Sequence, residues 1–305
     1  MKVVITGGTG LLGNALALDL NKDGHEVIVL SRNPEHMKDI PRGIQLIKWD
    51  GQTAQGWGRL ADGADAVVNL AGENLSAGRW TNIRKRRIQD SRVNGGKAVV
   101  QAIEAAENKP KVVIQASAVG YYGITNAPSL PETLPPGEDF LAQVCRIWED
   151  STKPLDDMGI RRCVIRSGVF LSPKAGVLQR FLLPFRFFVG GPLGSGKQWL
   201  PWLHLQDGVR AIRYMIENPA CSGIYNLAAP EELTNKQFVR ILGKVMRRPA
   251  IFPVPAFLLR LLFGEMSIVI LEGQNVSVER LLKSGFTFQY PQIEPALRNL
   301  LKRGA

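Results

Sequence analysis

The stretch that decides the fold is Lys2–Gly13, with the sequence KVVITGGTGLLG. Its run VVI is typical of a strand that is covered on both faces. Glycines follow at once, and from Leu11 to about Asp23 the apolar residues recur at helical spacing. The stretch therefore predicts a strand, a glycine turn and the N-terminus of a helix.

A helix N-terminus behind a glycine turn is suited to bind a pyrophosphate. Its first N–H groups lack helical partners and carry partial positive charge, and glycines let the ligand approach the backbone. A second strand, predicted at residues 25–30 (HEVIVL), completes the βαβ unit that the motif requires. A turn with only a structural role is the alternative, but we expect a dinucleotide here. The residues predicted to hold it in the turn are Gly7, Thr9, Gly10, Leu11, Leu12 and Gly13.

The end of the second strand indicates which dinucleotide binds. A cofactor without a 2′-phosphate is usually held there by an Asp or Glu, about 20 residues beyond the glycines, whereas NADP requires a cation. This chain has Ser31 and Arg32 at that place and no acid. A guanidinium matches a phosphate well. We therefore predict NADP(H), with Ser31 and Arg32 in its site.

Two further strands end in residues that suit a cofactor site. A third strand is predicted at residues 44–49 and a fourth at 66–70. Ligands of open α/β sheets bind at the carboxyl ends of the strands, although plain strand termination is the alternative. We expect Asp50 near the adenine and the end of the fourth strand near the ribose and nicotinamide. The fourth strand ends in Leu70, Ala71, Gly72 and Glu73.

Composition sets limits on the class of protein. The chain has 305 residues, is 45% hydrophobic and carries a formal charge of +11. The densest basic run, residues 84–87, lies on a helix predicted at 80–106 and is a solvated face, a grip for ligand phosphates or a nucleic-acid contact. Because aromatic residues are not interleaved with it, we expect no nucleic-acid partner.

Other classes of protein and site are not indicated. No segment reaches the ~20 apolar residues that span a bilayer, and no secretory signal begins the chain, so we expect a cytoplasmic protein. No metal site is expected, because the Cys and His residues are few and lack ligand spacing. These residues are Cys145, Cys163, Cys221, His25, His36 and His204.

Several motifs together resemble a known family. TGGTGLLG, NLAG, Asn94 and a Ser...TyrTyrGly segment after a predicted strand at 112–116 are similar to an extended short-chain dehydrogenase/reductase, the class of sugar-nucleotide epimerases and dehydratases. The segments SRNP, NLAGENL, RSGVFLS and the tail LEGQNVSVERLLKSGFTFQYPQIEPALRNLL resemble, more closely, a bacterial epimerase-like subgroup. Its members have a C-terminal domain of unknown function and are sometimes labelled cell-division inhibitors. The resemblance spans nearly the whole chain.

The resemblance and the strand pattern imply an α/β fold: a doubly wound parallel Rossmann sheet with a smaller, mostly C-terminal lobe. We expect a Rossmann domain at residues 1–170, with the sheet completed by about 203–228. The smaller lobe would comprise 171–202 and 229–305, with a small-molecule substrate in the cleft. The aromatic-rich stretch within 181–202 either lines that cleft or forms a hydrophobic contact in a homodimer. Arg92 and Arg166 complete the predicted cofactor residues.

The chain departs from the family where proton transfer takes place. Family members carry a Tyr that moves the proton and, four residues later, a Lys that lowers its pKa. If Glu149 matches the family's Glu, Leu141 replaces the Tyr and Cys145 replaces the Lys. Any chemistry must then use other groups, and the candidates are Ser117, Tyr121 and Tyr122, with packing, cofactor stacking or strand capping as alternatives. In the Trp202–Asp207 hinge, which also resembles the family, His204 is expected to be structural.

Two functions remain open from the sequence. The first is an NADP(H)-dependent oxidoreductase or epimerase-like enzyme that works without the Tyr-x-x-x-Lys pair. The second is a sensor or regulatory protein that binds NADP(H) and acts through a protein partner, without turnover.

Overall fold

Seven parallel strands form the central sheet of this computed structural model, which describes residues 1–34, 41–125 and 127–302. His36 lies outside the described residues. The strand order is β3-β2-β1-β4-β5-β6-β9, and it reverses between β1 and β4, which confirms the doubly wound Rossmann sheet. Its strands are β1 (Lys2–Thr6), β2 (Glu26–Ser31), β3 (Ile44–Lys48), β4 (Ala66–Asn69), β5 (Val112–Ala118), β6 (Arg161–Ser167) and β9 (Gly223–Leu227).

Helices cover both faces of this sheet. The helices of the structure are α1 (Leu11–Lys22), α2 (Asn82–Glu104), α3 (Phe140–Asp150), α4 (Pro154–Asp157), α5 (Gly176–Arg186), α6 (Leu205–Glu217), α7 (Asn235–Met246), α8 (Ala256–Phe263), α9 (Ile268–Leu271), α10 (Glu279–Lys283) and α11 (Ile293–Lys302). Val3 and Ile5 pack in the core that contains α1 and α6, whereas Val4 packs on the opposite face with α2. Because successive side chains of a strand point to opposite faces, the run VVI is fully buried.

A separate hydrophobic core lies outside the sheet. It is built by α5, α7 and α11, and it contains Phe181 and Phe185 of the aromatic-rich stretch together with Phe238. A two-stranded parallel sheet, β7 (Val169–Leu171) with β8 (Trp202–His204), borders this core. The domain boundaries given above stay a prediction.

The tail of the chain is tied to α6 by a buried carboxylate. Asp207 accepts hydrogen bonds from the backbone N–H groups of Gln289 and Tyr290, both at 2.8 Å. His204 caps the same helix, because its Nδ1 accepts the N–H of Gln206 at 3.1 Å, and its ring stacks on Tyr290. His204 therefore has a structural role in the hinge.

The fifth strand is longer than its sequence indicates. We expected it to end at Ala116, but β5 continues to Ala118 because Ser117 and Ala118 still pair with Arg166 and Ser167 of β6. Ser117 is thus a buried strand residue and not the first residue of a loop. None of the helices in the described ranges is long and apolar enough to cross a membrane.

Candidate cofactor-binding site

The glycine turn between β1 and α1 leaves almost no space around several of its residues. Gly7 has a left-handed backbone with φ of 66°, and a Cβ there would lie 2.7 Å from the carbonyl group of Leu70. A Cβ at Gly13 would lie 2.5 Å from the carbonyl oxygen of Gly7. Gly10 is exposed, and a Cβ there would meet only that same oxygen, at 3.2 Å. Gly7 and Gly13 are therefore needed for packing, whereas Gly10 keeps the backbone open to a ligand.

The first turn of α1 presents its N–H groups beside this glycine. The helix begins at Leu11, with Gly10 as its N-cap and no side chain capping it. Its first helical hydrogen bond runs from the N–H of Asn14 to the carbonyl of Gly10, at 2.8 Å. The N–H groups of Leu11, Leu12 and Gly13 precede that bond and have no acceptor within the helix. This arrangement suits a phosphate group.

Buried side chains link the carboxyl ends of β1 and β4 to each other and to β5. Thr6 of β1 donates its hydroxyl to Asn69 of β4 at 2.6 Å, and the amide of Asn69 donates to Gln115 of β5 at 2.8 Å. The hydroxyl of Thr6 also accepts the N–H of Ala71 at 3.3 Å. The backbone after β4 is thereby fixed against the glycine turn.

A cavity of about 460 Å³ opens at this edge. Ten of the residues predicted for the cofactor line it, and they come from four strand ends: Gly7, Thr9, Gly10, Ser31, Arg32, Asp50, Leu70, Ala71, Gly72 and Glu73. The structure adds lining residues that the sequence analysis did not assign: Leu30, Trp49, Gly51, Gln52, Arg87, Asp90, Ser91 and Asn94. Four of the added residues, 87, 90, 91 and 94, have the spacing of one helix face, which is a signal present in the sequence.

Arg32 stands at the mouth of this cavity. Its side chain is 66% exposed, and its guanidinium lies 3.8 Å from the carboxylate of Glu73. Arg84 approaches the same carboxylate at 3.5 Å. Both distances exceed those of a charge-assisted hydrogen bond, so the Arg32 guanidinium remains available to another anion.

The basic run on α2 divides between two roles. Arg87 lines the cavity and Arg84 contacts Glu73 at its rim. Lys85 instead pairs with Glu265, near the end of α8. Part of the run therefore borders the cavity, and part holds the smaller lobe.

Asp50 closes its own turn at the other end of the cavity. It accepts hydrogen bonds from the N–H groups of Gln52 and Thr53, at 2.7 and 2.9 Å, and from the Thr53 hydroxyl at 2.7 Å. Burial raises the pKa of Asp50, but these bonds outweigh it and hold the pKa below its usual value. An ionised Asp50 thus shapes the wall of the cavity next to Trp49.

Arg92 lies behind the cavity wall. Its guanidinium donates to the backbone carbonyls of Glu73 and Ile88, at 3.2 and 3.0 Å, and lies 4.8 Å from the ring of Trp148. A Cβ at Gly72 would meet it at 3.1 Å. Burial lowers the pKa of Arg92. Arg92 supports the segment after β4 and is not among the residues that line the cavity.

Arg166 lies with the predicted catalytic residues and not with those of the cavity. Its side chain is 1% exposed, and its Nε and Nη2 donate to the two carboxylate oxygens of Glu149, both at 2.9 Å. Nη1 donates to the Tyr122 hydroxyl at 3.2 Å and to the Glu132 carbonyl at 3.1 Å. All three guanidinium nitrogens are therefore occupied inside the protein.

The three candidate proton donors surround this ion pair. Ser117 donates its hydroxyl to Glu149 at 2.6 Å, and Tyr122 donates to Asn226 at 2.7 Å; both residues are buried. Tyr121 is only half-buried, and its ring centre lies 3.3 Å from the guanidinium carbon of Arg166. Burial raises the pKa of Tyr121, although the cation of Arg166 opposes this effect.

Leu141 and Cys145 face this group from α3. A Cβ at Gly120 would lie 3.4 Å from the Cβ of Leu141 and 3.9 Å from the sulfur of Cys145. Burial raises the pKa of the Cys145 thiol to about 12, with a smaller opposing effect of Arg92, so the thiol is neutral at physiological pH. None of the five Tyr residues of the chain has a Lys four residues later.

The fold and the edge of the sheet define a Rossmann protein with a glycine turn at its switch point. The chain belongs to the NAD dependent epimerase/dehydratase family, which it matches over residues 3–228. Residues 254–300 match a domain of unknown function, DUF1731.

Similar proteins come from distant organisms. The epimerase family protein YfhF of Bacillus subtilis is 38% identical over 99% of this chain and 98% of its own. The chloroplastic homologue of the epimerase family protein SDR39U1 of Arabidopsis thaliana is 38% identical over 99% of this chain and 87% of its own. The crystal structure of human SDR39U1 (isoform 2) with NADPH has a TM-score of 0.89 at 34% identity and covers 99% of both chains.

Because Gly10 and Gly13 have different roles, replacing each of them with Val should have a different effect. Gly10→Val keeps an allowed extended backbone, so the protein should remain folded while the added side chain blocks ligand approach to the first turn of α1. Gly13→Val should destabilise the fold, because its Cβ meets the Gly7 carbonyl. Thermal unfolding and NADPH titration of both variants test this. Wild-type NADPH affinity in Gly10→Val would contradict it.

The buried ion pair predicts a large loss of stability when one partner is removed. Glu149→Leu leaves the cation of Arg166 without its carboxylate, and we expect a loss of about 3–5 kcal/mol in the free energy of unfolding. Glu279→Leu is the control, because its ion pair with Lys283 is fully exposed and should matter little. Urea unfolding measures both, and equal effects would show that the buried pair is not a stabilising element.

Proposed function

We propose that the protein binds NADP(H) in the cavity at the carboxyl edge of β1, β2, β3 and β4. The observation that carries this proposal is the joining, in one cavity, of the glycine turn, Gly10 as the N-cap of α1 and the exposed cation of Arg32. The NADPH in the human relative's crystal structure supports it.

Each part of the cofactor has suitable groups in the cavity. The pyrophosphate takes the N–H groups of the first turn of α1, and the 2′-phosphate takes Arg32. The adenine lies against residues 49–52. The ribose and nicotinamide lie along residues 70–72, next to the end of β5. The bound cofactor would supply hydride chemistry at that end.

For the reaction, we propose an oxidoreductase or epimerase-like enzyme that works without the Tyr-x-x-x-Lys pair. Hydride transfer to a carbonyl leaves negative charge on oxygen, which needs a proton donor within about 3 Å. Tyr121 fits this role better than Ser117 and Tyr122, because those two hydroxyls are buried and donate to Glu149 and Asn226. The phenol of Tyr121 carries the proton that reduction of a carbonyl by NADPH requires, although burial, which raises its pKa, makes it a weaker acid.

One observation favours the alternative, a sensor without turnover. The end of β5 is held by the Glu149–Arg166 pair, and besides Glu149, α3 places Leu141 and a neutral Cys145 against Gly120, just after β5. Such a protein would bind NADP(H) and act through a protein partner. For either function we propose a cytoplasmic location, which the three buried, unbridged cysteines support.

Arg32 predicts the cofactor preference. Arg32→Ala should weaken NADPH binding by about 10- to 100-fold, since a charge-assisted hydrogen bond contributes roughly 1.5–3 kcal/mol. NADH binding should change little, because NADH lacks the 2′-phosphate. Calorimetric titration of both cofactors checks this, with Arg42→Ala as the control for the loss of an exposed cation. An unchanged NADPH/NADH affinity ratio in Arg32→Ala would overturn the proposed site.

Turnover separates the enzyme from the sensor. Purified protein with NADPH and a panel of small carbonyl compounds should oxidise NADPH in the presence of at least one of them. Tyr121→Phe should then lower turnover by ~10²- to 10³-fold with NADPH affinity intact. Tyr290→Phe is the matched control. Tight NADPH binding without turnover on any compound would support the sensor instead.

A further inference from the structure

Two segments of the smaller lobe carry a dense set of exposed apolar side chains. Phe187, Ile251 and Phe257 are 70%, 71% and 70% exposed. We call the whole set the apolar tip, and its members are Leu183, Phe187, Phe188, Val189, Ile251, Phe252, Phe257, Leu258, Leu261 and Leu262. Contiguous apolar surface of this kind marks an interaction site in a folded protein.

Backbone pairing brings the two segments together. The N–H of Phe252 donates to the carbonyl of Gly190 at 3.2 Å, and the N–H of Val254 donates to Pro192 at 2.9 Å. In the first segment, the paired residues follow directly after Val189. In the second segment, α8 begins at Ala256, two residues after the paired Val254. The end of α5 and the 250–254 strand-like segment therefore lie side by side, and α8 continues the second segment along the chain.

The end of α5 adopts a conformation that disfavours its residue type. Phe188 has a left-handed backbone with φ of 62°, at a helix end where glycine is usual. The guanidinium of Arg248 lies 4.2 Å from the centre of its ring. Phe188 is 51% exposed, so a bulky aromatic residue at this position gains only part of the stabilisation that full burial would give. The pair of an exposed ring and a cation suits contact with a partner outside the chain.

The two segments that carry the apolar tip are basic in sequence. Residues 174–206 and 233–264 contain ten Lys and Arg residues and no Asp or Glu, whereas the remainder of the chain contains 28 basic and 27 acidic residues. These two segments thus account for nearly all of the net charge of +11. Lys244 is paired with Glu294 of α11, whereas Arg186 and Arg260 are exposed on α5 and α8 and Arg248 lies against Phe188. Arg260 also lines a pocket that contains Glu265 and Glu272.

We propose that the apolar tip is a docking surface for an anionic lipid bilayer. The apolar side chains would enter the boundary between headgroups and acyl chains, and the flanking Arg residues would contact lipid phosphates. A second copy of the chain is a poor occupant, because a two-fold contact would place this basic surface against itself. Side chains about 70% exposed protrude into solvent, which suits insertion into lipid better than recognition by a protein groove. The proposal is independent of the cofactor.

The experiment is sedimentation of the full chain with lipid vesicles. One set of vesicles contains phosphatidylcholine and phosphatidylglycerol, and the other contains phosphatidylcholine alone. The test variants are the triple change Phe187→Ser, Phe257→Ser and Leu261→Ser, and the double change Arg186→Glu and Arg260→Glu. The double change Leu18→Ser and Leu282→Ser is the control for lost apolar surface, because both residues are partly exposed and lie outside the apolar tip. Lys97→Glu is the control for the reversal of an exposed positive charge. NADPH affinity reports that each variant is folded.

We expect the wild type to sediment with the anionic vesicles only. The triple and double variants should each bind at least about tenfold more weakly, since one cation near an anionic surface contributes about fivefold. The control variants should bind like the wild type. The proposal is overturned if the wild type stays in solution with anionic vesicles or if the triple variant binds unchanged. Two further results would overturn the proposal. The first is a wild-type dimer that the triple change dissociates, and the second is a wild-type protein that binds an acidic protein but no vesicles.

Discussion

The close approach of Gly7 to the carbonyl of Leu70 is the contact on which the candidate site depends. It brings the end of β1 against the segment after β4, at the point where the strand order reverses. Thr6, Asn69 and Gln115 then hold the same two ends together by buried hydrogen bonds. The two backbone segments approach so closely that a side chain at Gly7 would not fit between them. This close packing fixes the position of the cavity wall relative to the first turn of α1.

A second constraint governs the chemistry. The ion pair between Arg166 and Glu149 occupies the region where family members are expected to move a proton, and it engages the hydroxyls of Ser117 and Tyr122. Removing two charges from water is costly, and full hydrogen bonding of both partners offsets that cost. The same bonds engage the hydroxyls of Ser117 and Tyr122 inside the protein, whereas Tyr121 is half-buried, which is why we propose Tyr121 as the proton donor.

Local patterns predicted the sheet well, because each strand is a short apolar run followed by small or polar residues. Ten of the residues that line the cavity followed from the same rule, since parallel strands end at one edge, whereas those on α2 were missed. The sequence analysis placed Arg166 with the cofactor, but it lies in the ion pair, whose partner Glu149 is 17 residues away on α3. Such a long-range pairing leaves no periodic trace. The extent of β5 was also missed, because the backbone of its last two residues pairs with β6 but not with β4.

The apolar tip is a surface feature that the sequence analysis also could not predict. The aromatic-rich stretch was expected to line the cleft or to form a subunit contact. In the structure Phe181 and Phe185 are buried under α7, whereas Phe187 and Phe188 are exposed. Composition identified the stretch as unusual, but only the turn at the end of α5 determines which of its rings face solvent.

The most direct test of the central claim is a crystal structure of the protein with NADPH. Our account places the pyrophosphate at the N–H groups of Leu11 and Leu12, and the 2′-phosphate within hydrogen-bond distance of Arg32. It also places the nicotinamide beside the end of β5, toward Tyr121. A cofactor bound elsewhere, or a 2′-phosphate that contacts other groups and leaves Arg32 in solvent, would contradict the account.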